Sequence, residues 1–206
     1  NTSSMVFVRI LLTLILIANF SCIQDHGNRL EQILDESFEF QLDEYPLYSN
    51  MSFWYDLQSK DTPYSINRRM PSMTLEAINE RDIFWKKIEN RLNSINPDRL
   101  SQAQKINYRI FSRIVNEKIN EIKFKSFLMP INTDSGFHTG LIRIQRAMPF
   151  QTIGDYKNYI ARLNEFSRYF DEQIILMKEG LRLGITIPQA VLNDYELTIS
   201  AHIVSD

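Results

Sequence analysis

Apolar residues recur at helical spacing through most of this chain. From Arg29 to Tyr45, Leu30, Ile33, Leu34, Phe38, Leu42 and Tyr45 follow three or four positions apart or side by side, the pattern of a helix face turned to a core. Glu31, Asp35, Glu36, Glu39 and Asp43 take the other faces, and Pro46 ends the segment. A second helix is predicted over Leu75–Ile95, capped by Thr74, with Leu75, Ile78, Trp85, Ile88, Leu92 and Ile95 as its stripe. Asn96-Pro97 stops it. Ser101 and Gln104 have capping-box spacing and open a third helix to about Ile122, with Ile106, Ile110, Ile114 and Val115 facing inward. The short link between the two predicts an antiparallel hairpin of helices. Thr152 and Asp155 repeat the capping box before a fourth helix. Its wide apolar face (Tyr156, Tyr159, Ile160, Leu163, Phe166, Phe170, Ile174, Met177, Leu181) predicts a central position. Gly180 and Gly184 bring it to an end. Pro188 sits near the start of a fifth helix that includes Val191, Leu192 and Leu197 and runs on to Asp206. The fold class is therefore all-α, an antiparallel helical array.

The segments between these helices carry the candidate chemistry. Leu47–Ser72 holds Tyr48, Phe53, Trp54, Tyr55 and Tyr64; such aromatics pin a loop to the helices beneath it more often than they form a carbohydrate or peptide platform. Lys123–Met129 reads equally as a short strand or as an extended run. Met129–Leu163 gathers Pro130, Gly136, Gly140, Pro149 and Gly154, and long ordered loops inside compact domains are usually functional. Within it, Gly136-Phe137-His138 is the most noticeable tripeptide, its glycine permitting backbone angles or close approaches that other residues resist. His138 has two readings: a donor to a substrate carbonyl or carboxylate, or a histidine satisfied by loop backbone.

The front of the chain has a different pattern. Met5–Cys22 has one charge, Arg9, and an apolar run from Ile10 to Ala18 interrupted by Thr13. That run is about half the roughly 20 residues a spanning helix needs. A basic residue, a short apolar run and then small or polar residues are the features of a secretory signal peptide. Ser21-Cys22 suggests a lipobox with Cys22 as the lipidated residue, although Asn19 stands where such motifs carry leucine. The expectation is an exported, lipid-anchored protein of the cell envelope, at the outer membrane or periplasmic face. Residues 1–22 are then leader and 23–206 the helical portion of a larger domain, because both ends look like cuts in a longer reading frame.

Composition narrows the rest. The net charge of −2 mixes acids and bases throughout, without the basic stripe of a nucleic-acid binder. One cysteine rules out a disulfide framework and a cysteine-rich zinc site. His26, His138 and His202 lie far apart, and H-E-x-x-H, a Gly-rich phosphate loop and G-x-S-x-G do not occur in the sequence. No catalytic and no metal-ligating residue is assigned, and the acids of the first helix read as a solvated face.

Five pieces of the chain bear a family likeness. They are FEFQLDEYP (38–46), the SxxQxxNYxIF pattern at Ser101–Phe111, FLMPINTDSGFH (127–138), MPFQTIGDYKNYIARL (148–163) and KEGLRLGITIPQAVL (178–192). In this order the chain resembles a bacterial family catalogued as domain of unknown function number eight hundred eighty-five. The resemblance implies an exported protein, often a lipoprotein, nearly three times this length. It also implies a gluzincin-type zinc metallopeptidase with H-E-x-x-H in the C-terminal half. On that footing this chain would be the non-catalytic helical wall of a peptide cleft, inactive alone, with Asn132, Gly136, Phe137 and His138 as the candidate residues facing the cleft. Zinc and the remaining half would be supplied by the full-length protein. The alternative is a non-enzymatic helical envelope lipoprotein that binds a peptide or protein partner.

Overall fold

The structure is a computed structural model and describes residues 26–46, 69–132, 135–141, 144–148 and 150–200. Cys22, the expected signal segment and the aromatic residues of 47–68 lie outside these residues. The described residues are mainly helical, with no strand among them and one isolated antiparallel bridge between Ile131 and Gly136. The main helices are α1 (26–44), α2 (Leu75–Asn93), α3 (Gln102–Lys123), α4 (Phe137–Leu141), α5 (Ile153–Asn164), α6 (Phe166–Leu183) and α7 (Glu196–Ser200). No described helix is long and apolar enough to cross a membrane. The chain divides into two compact units, one of residues up to Phe38 with Ile83–Ile119, the other of Glu39–Asp82 with Asn120 onward.

The first unit buries Leu30 and Ile33 of α1, Trp85, Ile88 and Leu92 of α2, Ile95 after it, and Phe111 and Val115 of α3. Full burial of such side chains contributes about 1.5–3 kcal/mol each. Ser37, also buried, satisfies its hydroxyl on the Ile33 carbonyl one turn back (2.7 Å). The link from α2 to α3 follows its sequence signals. Asn96 Oδ1 accepts from the Asp98 N–H (3.0 Å). The Ser101 hydroxyl accepts from the Gln104 N–H (3.3 Å), while Gln104 Oε1 accepts from the Ser101 N–H (3.1 Å). Three of the expected inward positions of α3 are not inward: Ile106 is 51%, Ile110 57% and Ile114 37% exposed. The helix carries two adjacent apolar rows, and the row through Phe111 and Val115 is the covered one.

The second unit has a polar frame. Residues 69–73 run back toward α2 without helix or turn, so their carbonyls and amides need partners from outside. Arginines supply several of them. Arg162 Nε donates to the Arg69 carbonyl (3.2 Å) and its Nη2 to the Pro46 carbonyl (3.5 Å). Arg168 donates to the Met70 carbonyl (3.1 Å) and Arg81 to the Ser72 carbonyl (2.5 Å), while Glu172 accepts from the Met73 N–H (2.6 Å). Arg81 is held in turn by Glu44 (2.7 Å). Around this frame one apolar cluster joins Met70, Leu141, Ile144 and Met148, and a second joins Ile78, Leu128 and Leu176.

Several expectations are corrected here. The fourth helix is two, α5 and α6, broken at Glu165, whose backbone angles stay near helical values. No proline or glycine marks the break, so periodicity runs through it. The face of α5 that is buried is polar, Asp155, Asn158 and Arg162, while Tyr156 (53%) and Ile160 (56%) are exposed. The stretch after Pro188 forms a 3-10 turn, Gln189–Leu192, and the five-residue α7, not one continuous helix to residue 200. Lys123–Met129 is neither strand nor extended: α3 runs to Lys123, Lys125 takes a left-handed conformation (φ 55°), and Ser126–Leu128 makes a 3-10 turn. The long central loop, too, is shorter than its sequence suggested, because α4 and the Ile144–Ala147 turn occupy much of it.

Candidate functional site

Within the second unit the chain encloses an open cavity of about 1100 Å³, just above the usual 300–1,000 Å³ of small-ligand sites. The C-terminal turns of α5 give it Tyr159 and Leu163, and α6 gives it Phe170, Ile174 and Met177. The opposite side comes from Met129–Ile131 after the 3-10 turn and from Ile185–Ile187 after α6. Phe137 and His138 reach it from α4. Among the described residues, no Asp, Glu, Lys or Arg lines it.

Local folding explains why these residues meet. The Thr152 hydroxyl accepts from the Asp155 N–H (3.2 Å), and Asp155 Oδ2 accepts from the Thr152 N–H (2.7 Å), its hydroxyl (2.9 Å) and the Gln151 N–H (3.0 Å). The expected capping box therefore fixes the start of α5. At the other end α6 stops at Gly184 (φ +69°), whose left-handed backbone lets the Ile185 N–H reach back to the Gly180 carbonyl (2.8 Å). That turn brings Ile185 against Gly180. A Cβ on Gly180 would stand 2.7 Å from the Ile185 carbonyl oxygen and 3.0 Å from that of Leu128. The bare glycine thus allows both cavity rims to approach α6.

The four cleft candidates are placed differently. Phe137 lines the cavity and packs edge-on against Phe170 (centroids 5.1 Å apart) and Tyr169 (6.1 Å). His138 also lines it and is 6% exposed. Its Nε2 lies 2.8 Å from Thr198 Oγ1, which donates its own hydrogen to the Tyr195 carbonyl (2.6 Å). A hydroxyl has one hydrogen, so Nε2 carries the proton of this contact. His138 thereby ties α4 to α7. Gly136 sits under the imidazole, where a Cβ would lie 2.9 Å from the ring, and pairs with Ile131. Asn132 shapes the turn instead: its Oδ1 accepts from the Ser135 N–H (2.9 Å) and hydroxyl (2.8 Å). Gly136 and Asn132 are not among the lining residues.

Beneath the cavity, burial pushes the Tyr169 phenol above its ordinary value, against the opposing hydrogen bond from Gln173. Burial alone holds the Arg162 guanidinium down to about 10, so it remains a cation at neutral pH. Sequence reasoning passed over Arg162 and the Ile185–Ile187 rim. The rim had a signal, the I-T-I alternation between Gly184 and Pro188; Arg162 had none, because a basic residue near a helix end reads as surface.

The described residues hold no group of three His, Cys, Asp or Glu side chains placed to bind a metal. The donor set near the cavity is one imidazole engaged with Thr198, which does not fit a zinc centre.

No curated protein and no solved structure matches the chain. The family model of DUF885, bacterial protein of unknown function, matches residues 57–205, and the chain belongs to that family.

Proposed function

From membership in DUF885, we propose that this chain is the non-catalytic helical wall of a zinc-dependent peptidase exported to the cell envelope. In this reading Cys22 carries the lipid anchor and the zinc ligands come from the remainder of the full-length protein. The observation that carries the reading is the pairing of a cavity whose described lining is uncharged with uncovered apolar helix faces. Ile106, Ile110, Ile160 and Leu181 are each more than half exposed. Apolar surface of that extent on helices marks contact with another body, as a wall completed by a second half would have. No catalytic step is assigned to residues of this chain. Its contribution is to line one side of the cleft and hold a peptide in place.

A second reading, a non-enzymatic envelope lipoprotein that binds a peptide or protein, is favoured by one feature: every described residue that lines the cavity belongs to a single unit. Sequencing the gene past the codon for Asp206 and assaying its product for zinc separates the two. An open frame carrying H-E-x-x-H and a product with bound zinc is the outcome expected of the peptidase. A stop codon at that point, or a zinc-free product without hydrolytic activity, removes it in favour of the binding protein.

A further inference from the structure

The cavity has two rims whose backbone is left unpaired. In the bridge between Ile131 and Gly136, the flanking bonds run from the Asn132 N–H to the Ser135 carbonyl (2.8 Å) and from the Phe137 N–H to the Pro130 carbonyl (3.2 Å). That is the non-hydrogen-bonded type of antiparallel pair, so the N–H and C=O of Ile131 itself point away from Gly136. They have no hydrogen-bond partner among the described residues. On the other rim, the N–H and C=O of Thr186 and of Ile187 are likewise without one. Ile131 and Ile187 are half-buried and Thr186 is exposed. All three line the cavity. Unpaired main-chain donors and acceptors beside an apolar pocket are the two components of extended-peptide recognition. The backbone pairs along an edge, and a side chain fills the pocket.

We propose that the cavity is a binding site for an extended peptide segment bearing a large apolar side chain, with its backbone paired to Ile131 or to Thr186–Ile187. Three observations select this occupant. The described lining holds no charged residue, so an acidic or basic side chain would enter without a counter-ion among the described residues. The volume of about 1100 Å³ exceeds one aromatic side chain and leaves room for the neighbouring peptide units. An acyl chain would fill the apolar space but leave the rim donors unmatched. The inference rests on the reading of this chain as a peptide-facing wall, and adds to it the side-chain preference and the docking edge.

The test uses the full chain and a fluorescent pentapeptide, Ala-Ala-Phe-Ala-Ala, blocked at both ends. Its comparisons are the same peptide with Asp for Phe, an analogue with esters replacing the amides around Phe, and fluorescent dodecanoate. Saturable anisotropy is expected for the Phe peptide. The Asp peptide should bind at least about tenfold more weakly, and the ester analogue should also be weakened. Leu163→Asp and Ile174→Asp place a charge at half-exposed lining positions (39% and 37% exposed) and should weaken the Phe peptide by a similar factor. Ile160→Asp, more exposed and off the cavity, should leave binding unchanged. Circular dichroism checks the fold of each variant; if both lining variants unfold, the three peptides on the unmodified chain still decide. Equal binding of the Phe and Asp peptides overturns the proposal. So does saturable dodecanoate binding without peptide binding, or a dimer in sedimentation that excludes the peptide. Capture of the Phe peptide by a zinc-free, non-hydrolysing protein would sink the peptidase reading and leave this one standing. Hydrolysis indifferent to Phe or Asp would do the reverse.

Discussion

Arg162 offers the sharpest test of the polar frame. The side chain is 0% exposed, and its hydrogen bonds go to the Arg69 carbonyl (3.2 Å), the Pro46 carbonyl (3.5 Å) and Met148 Sδ (3.4 Å), with no carboxylate among them. A guanidinium lowered by burial to about 10 carries a cost of about 3 kcal/mol at neutral pH, at about 1.4 kcal/mol per unit. Arg162→Met removes that cost and roughly keeps the volume. It also leaves two carbonyls without a donor, at about 1–3 kcal/mol each. The two effects nearly cancel, so the methionine variant should be less stable by only about 1 kcal/mol. Arg162→Lys keeps a buried cation but has no fork to span two carbonyls, so it should be the less stable of the two variants, by about 2 kcal/mol. Urea unfolding followed by circular dichroism at pH 7 measures both. The pH dependence has a definite sign. Above about pH 10, up to the ordinary arginine value, the folded chain has released a proton that the unfolded chain still holds, so the contribution of Arg162 to stability rises with pH there and is flat below. A lysine variant as stable as the parent, or a methionine variant losing more than about 4 kcal/mol, would refute the argument and indicate a carboxylate partner.

Three glycines make a graded series. Gly180→Ala forces a Cβ against two main-chain carbonyls and should cost about 1–3 kcal/mol. Gly184→Ala meets no atom but must hold φ +69°, costing about 1–2 kcal/mol. Gly140→Ala, in α4 with open space around it, should be neutral or stabilise by up to about 1 kcal/mol; thermal melts rank the three, and any other order refutes the geometry. Thr152→Ala should cost about 1 kcal/mol, and Asp155→Ala more, because its carboxylate oxygen serves two backbone N–H groups and a hydroxyl; comparable melts for the two would contradict this. Hydrogen bonds from Lys87 and Arg91 hold the Glu36 carboxyl below its ordinary value. The stability it adds is present above about pH 4.5 and is lost as pH falls through the lower, folded-state value. Being half-exposed, it should contribute below about 1 kcal/mol and fade with salt, so Glu36→Gln should matter slightly at pH 7 and not at all near pH 2.

Helix positions and caps were legible in the sequence because they depend on neighbours along the chain. The α2 stripe from Ile78 to Ile95, the Ser101–Gln104 and Thr152–Asp155 boxes and the Gly184 stop all rest on contacts within four residues or on one backbone angle. Which face each helix buries was not legible where two apolar rows lie side by side. In α3, Ile110 and Phe111 differ by about 100° around the axis, and only the packed unit selects Phe111. In α5 the sequence pattern pointed the wrong way. Its buried row is Asp155, Asn158 and Arg162, and Arg162 there answers backbone carbonyls at residues 46 and 69. A demand for donors arising more than ninety residues away leaves no periodic trace. The same holds for the cavity. Phe137 and His138 drew notice as a loop tripeptide with Gly136, but the far wall, Ile185–Ile187, joins them only through the Gly184 turn and the close approach at Gly180. Composition and spacing determined an all-helical chain with its caps and stops; the tertiary structure decided which of its apolar faces enclose a cavity and which stay uncovered.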